Sequence, residues 1–156
     1  MRSAAHLLSL LLFLAFSASA AAQDREVPYW ASLRADEVNM RVGPSGEYQI
    51  DWVYRRAQLP VKIVRVKEGW RLVQDPEGTQ GWMAARLLSP MRTALVTGDD
   101  LAPMRDAPAD NALLLWNLEP GVIGVLGECE GGWCELDVDG REGWVAEARL
   151  WGAGEP

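Results

Sequence analysis

Two cysteines carry the most definite chemistry in this sequence of 156 residues. Cys129 and Cys134 flank the dipeptide Gly131-Gly132, which suits a two-residue hairpin loop. A hairpin centred on that loop sets Cys129 opposite Cys134, where the Cα atoms of a non-hydrogen-bonded pair are about 4.5 Å apart. A disulfide accepts Cα separations of about 4.4–6.8 Å, so we predict a disulfide here. The spacing differs from that of a redox-active Cys-x-x-Cys pair.

The only histidine, His6, lies in an N-terminal segment that has the layout of a secretory signal peptide. Arg2 precedes an apolar run, Leu7 to Phe16, and small residues follow up to Ala22. The run is shorter than the ~20 residues that a membrane-spanning helix needs. We therefore predict that residues 1–22 are a signal peptide that is removed by cleavage. The alternative is an uncleaved signal anchor. No later segment is apolar enough to span a membrane.

Loss of His6 with the signal peptide would exclude the usual active sites. Ser-His-Asp and Cys-His arrangements need a histidine, and ordinary zinc sites need histidines or several cysteines. Asp137-Val138-Asp139-Gly140 resembles the start of a calcium loop but lacks the glutamate at the twelfth position, so a β-turn explains it better. We expect no enzyme activity, no metal and no cofactor. A carboxylate-pair glycosidase is the minor alternative, because a small barrel offers little cleft for a sugar chain.

An internal repeat organises the rest of the chain. The dipeptide Gly-Trp occurs four times, and corresponding copies lie 62 or 63 residues apart: Gly69-Trp70, Gly81-Trp82, Gly132-Trp133 and Gly143-Trp144. Trp52 and Trp116 correspond at an offset of 64. The repeat predicts two similar domains, residues 29–91 and 92–152.

Each repeat has the pattern of a small all-β unit. Short apolar or alternating runs are bounded by turn residues, as in Val61 to Val66 followed by Lys67-Glu68-Gly69. Five short strands in about 60 residues indicate a small closed barrel, and Ala84 to Leu88 could form one 3₁₀ turn. We expect separate cores, with the four repeated tryptophans in the core or at the barrel rim.

Several segments resemble exported bacterial SH3-like (SH3b) proteins of unknown function that are built as tandem repeats. They are Glu37 to Ser45, Leu59 to Val64, Gln80 to Met83, Arg92 to Val96, Cys129 to Cys134 and Leu150 to Gly152. The resemblance implies two SH3-like β-barrels and a periplasmic or secreted location. It supplies no catalytic residues. Other SH3b domains bind cell-wall peptides or accompany wall hydrolases.

Three aromatic residues are the candidate ligand-binding site. Tyr48, Trp52 and Tyr54 follow the loop Gly43-Pro44-Ser45-Gly46, and SH3-type grooves use aromatics from this region to dock extended peptides. The alternative is that they pack between the barrels. In the second repeat Trp116 has no flanking tyrosine.

Charge is distributed unevenly along a chain whose formal net charge is −7. Residues 23–92 hold 11 basic and 9 acidic residues, whereas residues 93–156 hold 3 basic and 13 acidic. The first barrel thus has more basic residues and the second is acidic, although a merely solvated surface would show the same pattern. Export and net charge disfavour nucleic acid. Nothing in the sequence specifies an oligomeric state.

We therefore expect a non-catalytic extracytoplasmic binding module. Its partner would be an extended peptide, an envelope protein or a peptidoglycan stem peptide. The alternative is a structural or assembly partner of an envelope protein that docks through the acidic second barrel.

Overall fold

The computed structural model describes residues 25–156, and the predicted signal peptide lies outside this range. The described chain is all-β, with two sheets of seven strands each. Barrel 1 contains β1 (Tyr29–Leu33), β2 (Val38–Arg41), β3 (Ile50–Tyr54), β4 (Pro60–Lys67), β5 (Trp70–Gln74), β6 (Gln80–Ala84) and β7 (Leu88–Ser89). Barrel 2 contains β8 (Thr93–Val96), β9 (Ala102–Arg105), β10 (Leu114–Leu118), β11 (Ile123–Glu130), β12 (Trp133–Val138), β13 (Arg141–Ala146) and β14 (Leu150–Trp151).

The two sheets have the same antiparallel strand order. It is β3-β2-β6-β5-β4-β1-β7 in barrel 1 and β10-β9-β13-β12-β11-β8-β14 in barrel 2. The predicted fold of two tandem SH3-like units is therefore confirmed. The predicted five strands per unit were two too few, since each sheet has seven. One of the seven is a two-residue strand, β7 or β14, after a single 3₁₀ turn at Ala85–Leu87 or Glu147–Arg149. Two-residue strands are too short to show an alternating pattern.

The cores are built from aliphatic and methionine side chains. Met40 and its counterpart Met104 are fully buried. Each lies against the glycine of a Gly-Trp dipeptide: a Cβ on Gly81 would come within 2.4 Å of Met40 Cγ, and one on Gly143 within 2.5 Å of Met104 Cγ. The repeated glycine therefore makes room for the central methionine of each core.

The four repeated tryptophans lie outside the buried core clusters. All are half-buried, whereas the fully buried positions belong to residues such as Ile63, Met83 and Leu136. On an antiparallel strand, successive side chains point to opposite faces. In β6, Met83 points into the core, so the adjacent Trp82 points to the opposite face of the sheet, and the prediction of core tryptophans was wrong.

The predicted hairpins are present. Gly69 and Glu68 connect β4 to β5 with positive φ angles of 78° and 29°. Cys129 pairs with Cys134 across the β11–β12 hairpin, with Cα atoms 4.0 Å apart and the disulfide formed. The predicted disulfide is confirmed.

The two barrels share an interface. We had expected their cores to be separate, but residues of barrel 2 join the core of barrel 1. Leu95 of β8 is buried within the core cluster of barrel 1, and Trp151 of barrel 2 packs against that cluster. Trp30 meets Trp151 edge to face, with ring centroids 5.0 Å apart. The amine of Lys62 lies 5.5 Å from the Trp30 centroid and 5.4 Å from that of Trp151.

Hydrogen bonds also join the barrels. The Trp30 indole N–H donates to the Gly154 carbonyl at 3.1 Å, and the Thr93 hydroxyl donates to the Gln58 carbonyl at 2.7 Å. A Cβ on Gly152 would come within 2.9 Å of Pro60 Cβ of barrel 1, so the two barrels approach closely there. Specific packing of this kind fixes how the two barrels sit against each other.

Candidate functional site: a cleft at the barrel junction

A cleft of about 520 Å³ lies where the two barrels meet, and we call it the junction cleft. Barrel 1 contributes β3 and the turn between β5 and β6, and barrel 2 contributes Leu95 and Gly121. The side chains that give the cleft its chemistry are Asp51, Trp52, Tyr54, Arg56, Asp75 and Glu77. The volume falls within the range of about 300–1,000 Å³ typical of ligand sites.

Trp52 is the exposed aromatic of the cleft. Its side chain is 60% exposed, because it lies on β3, the edge strand of its sheet. Met40 is its register partner on β2 and fills the core. An edge strand also presents unpaired backbone groups to an extended peptide.

Tyr54 has a different environment from Trp52. It is only 9% exposed, and its hydroxyl donates a 2.6 Å hydrogen bond to Asp75 Oδ2. Burial, that hydrogen bond and the negative charges of Asp75, Glu77 and Asp51, in this order, raise the pKa of Tyr54 well above its usual value. Tyr54 therefore stays neutral and forms a wall of the cleft rather than an exposed docking face.

Asp75 ties the cleft to the β5–β6 turn. Its carboxylate is 5% exposed. Oδ1 accepts hydrogen bonds from the backbone N–H groups of Thr79 at 2.7 Å and Glu77 at 3.1 Å. A buried carboxylate needs such partners to offset its lost hydration, so Asp75 holds the turn and orients Tyr54.

Tyr48 lies away from the junction cleft. Its ring lies over Gly43, where an added Cβ would come within 2.6 Å of the ring, and it is not among the residues that line the cleft. The structure therefore brings Trp52 and Tyr54 together but separates Tyr48 from them.

The cleft carries more negative than positive charge. Three carboxylates line it, those of Asp51, Asp75 and Glu77, against one guanidinium, that of Arg56. Arg56 donates a hydrogen bond to the Gly121 carbonyl of barrel 2, so its charge is held at one end of the cleft.

The sequence reasoning missed most of these polar residues. Asp75 and Glu77 were not singled out, and Leu95 was predicted only as part of the second barrel. A comparison of the repeats offered one signal: Tyr54 corresponds to Leu118 in the register of the sheets, so the tyrosine belongs to the first repeat alone. The contact between the two barrels, which brings Leu95 to the cleft, leaves no local pattern in the sequence.

Barrel 2 has a smaller cleft at the corresponding place. It measures about 380 Å³ and is lined by Trp116, Leu118, Glu119, Val138 and Arg141 among others. The Arg141 guanidinium carbon lies 5.1 Å from the centroid of the Trp116 ring, a cation–π distance. An arginine of the protein itself therefore lies over the aromatic ring of this second cleft, while Trp116 as a whole is 47% exposed.

Within residues 25–156, no group of three or more His, Cys, Asp or Glu residues is arranged to hold a metal ion. The same part of the chain contains no helix long and apolar enough to cross a membrane.

The fold and the cleft define a tandem SH3-type protein. The family described as bacterial SH3 domain matches residues 34–90 and 98–152, and the chain belongs to this family. SH3b domains are typically cell-wall binding modules. Membership and the disulfide together suggest an extracytoplasmic location.

Two solved structures are similar in part. NlpC2 from Trichomonas vaginalis is 12% identical with a TM-score of 0.37, covering 82% of this chain and 49% of its own. NlpC1 from the same organism is 12% identical with a TM-score of 0.36, covering 83% of this chain and 48% of its own. The chain thus spans about half the length of these proteins. The comparison with curated proteins gives no match.

Proposed function

We propose that this protein is a non-catalytic, extracytoplasmic binding module that captures an extended peptide in the junction cleft. The observation that carries the proposal is Trp52, a 60% exposed tryptophan on an edge strand beside a cleft bounded by both barrels. Tryptophan at a binding surface supplies a large apolar area at little cost in side-chain entropy.

The chemistry of the cleft favours binding over catalysis. The buried carboxylate of Asp75 is engaged with Tyr54 and two backbone N–H groups. Tyr54 has a raised pKa and keeps its proton, so it is a poor general base at neutral pH. These contacts shape the walls of the cleft, and the disulfide supports export because such bonds persist in oxidising compartments.

A peptide-display selection on the immobilised protein tests the proposal. Selected peptides are expected to lose at least about tenfold in affinity for Trp52→Leu, since a central tryptophan contributes about 2 kcal/mol or more to an interface. Trp116→Leu is the matched control in barrel 2 and is expected to bind normally. Peptides that bind both variants equally would contradict the proposal. Co-sedimentation with isolated peptidoglycan then separates a wall component from a free peptide as the partner.

A second candidate is assembly with an envelope protein through barrel 2. The observation in its favour is a row of exposed leucines at its edge, Leu113, Leu114 and Leu115, of which Leu113 is 66% exposed. Exposed apolar patches beside acidic residues are typical of partner surfaces. Leu114→Lys would abolish such docking and leave peptide capture by barrel 1 unchanged, and loss of peptide capture in this variant would count against the second candidate.

A further inference from the structure

The two clefts differ in what covers their tryptophan. In barrel 2, Arg141 lies over the Trp116 ring at 5.1 Å. Counting back from the shared Gly-Trp dipeptides, the residue of barrel 1 that corresponds to Arg141 is Thr79. Among the cation–π contacts of residues 25–156, none involves Trp52. The first barrel thus retains the aromatic platform and lacks the arginine that covers it in the second.

Two exposed carboxylates line the same cleft as Trp52. Asp51 is adjacent to Trp52 in sequence, and both line the cleft together with Glu77. Asp51 and Glu77 take part in none of the ion pairs found within residues 25–156. A partly exposed tryptophan face with carboxylates beside it attracts a cation, and arginine suits it best because its planar guanidinium stacks on the ring while its N–H groups bond carboxylate oxygens.

We propose that the junction cleft selects peptides carrying an arginine side chain, whose guanidinium stacks on Trp52 and is bonded by Asp51 or Glu77. This inference rests on the proposed function and adds the chemical class of the ligand. The occupant is a protein segment, because the group that fills the equivalent place in barrel 2 is itself a guanidinium. Arg56 does not fill the site, since it donates to Gly121 of barrel 2.

Arg56 also limits how much more tightly a peptide with arginine binds. One cation already lies in the cleft, so the carboxylates are partly compensated before a ligand binds. The remaining attraction is the cation–π contact, which changes affinity by about twofold to fivefold at an exposed site, together with an ion pair that weakens at high salt.

The test uses two capped pentapeptides that differ in one heavy atom of a side chain and in its charge. One is Ala-Ala-Arg-Ala-Ala, and the other carries neutral citrulline in place of arginine. Both are titrated into ¹⁵N-labelled mature protein, and the indole N–H signals of Trp52 and Trp116 are followed by NMR after assignment with Trp52→Leu and Trp116→Leu. The arginine peptide is expected to shift the Trp52 signal and to bind at least about twofold more tightly than the citrulline peptide.

A double variant, Asp51→Asn with Glu77→Gln, sharpens the test. Both side chains are on the surface rim of the cleft, and the substitutions preserve shape, so circular dichroism should be unchanged. The preference for arginine over citrulline is expected to decrease, because the ion pair is lost while the cation–π contact with Trp52 remains, and citrulline binding should persist. An unchanged preference in this variant would overturn the role given to the carboxylates.

Three other results would overturn the inference. Equal affinities for the two peptides, with the Trp52 signal shifted by both, would refute the selection of arginine and leave peptide capture intact. No shift of Trp52 with either peptide at millimolar concentration would refute both proposals. Tighter binding of a peptidoglycan stem peptide bearing a free ammonium would assign the cleft to the cell wall instead of a protein segment.

Discussion

Barrel 1 and barrel 2 share a scaffold and differ at their clefts. Both have the same strand order, and both place a methionine against the glycine of a Gly-Trp dipeptide. At the cleft, barrel 1 has Tyr54 bonded to Asp75, whereas barrel 2 has Leu118 at the corresponding position and covers Trp116 with Arg141. The comparison shows that the repeat preserves what the core requires and varies the residues that line the clefts.

The contact between the barrels contributes to this difference between the two clefts. Leu95 and Gly121 of barrel 2 line the cleft of barrel 1, so the second barrel completes the site of the first. The site therefore depends on both barrels remaining in contact.

The largest expected effect tests that dependence. Trp30 is 6% exposed and contacts Trp151 across the interface, so Trp30→Ala should lower the free energy of unfolding by about 3–5 kcal/mol. Chemical denaturation monitored by circular dichroism measures the change. Trp52→Leu is the exposed control and should change stability by less than about 0.5 kcal/mol. A loss below about 1 kcal/mol for Trp30→Ala would mean that the interface contributes little.

Both barrels have a glycine packed against the core methionine, and replacing this glycine by alanine should destabilise the two barrels by different amounts. A Cβ at Gly143 would come within 2.8 Å of the Arg105 carbonyl oxygen, whereas one at Gly81 comes no closer than 3.2 Å to the equivalent carbonyl of Arg41. Backbone cannot move aside as a side chain can, so Gly143→Ala should cost about 3 kcal/mol and Gly81→Ala about 1–2 kcal/mol. Thermal unfolding measures both.

Gly46→Ala serves as the control for this pair, since nothing lies within 4 Å of the added Cβ. It should be nearly neutral. Equal losses at Gly81 and Gly143 would show that the neighbouring strands adjust equally in the two barrels.

The disulfide is a feature of barrel 2 alone. It closes a loop with a sequence separation of 5, so its removal by the double substitution Cys129→Ser and Cys134→Ser should cost about 2 kcal/mol. Peptide binding by barrel 1 should persist in the double variant at 25 °C. Loss of peptide binding in a folded double variant would show that the hairpin affects the distant cleft.

The Tyr54–Asp75 hydrogen bond is expected to have the smallest effect. Tyr54→Phe should lower stability by about 1 kcal/mol near neutral pH. Because the pKa of Tyr54 is raised in the folded state, the unfolded state releases this proton first, and the stability of the wild-type protein should fall as pH rises above about 10. The variant should show a weaker decline in urea titrations between pH 9 and about 11. Identical slopes would contradict the buried hydrogen bond.

The features that short sequence patterns determine could be predicted from the sequence. The Gly-Trp dipeptides marked the repeat, and Gly131-Gly132 fixed the pairing of Cys129 with Cys134. The sequence could not show that Tyr54 would be buried against Asp75, because Tyr54 ends β3 whereas Asp75 lies 21 residues later in the turn after β5. It also could not place Leu95 in the core of barrel 1, since alternation identifies a buried face but not which barrel covers it.

The central claim is that the binding site lies in barrel 1 rather than in its duplicate. The most direct measurement follows the indole N–H signals of Trp52 and Trp116 in a single NMR titration of the mature protein with a peptide selected by display. We predict that the Trp52 signal shifts progressively to saturation. The Trp116 signal should not shift, because Arg141 already lies over that ring. A shift of Trp116 with Trp52 unmoved would contradict the account and assign recognition to barrel 2.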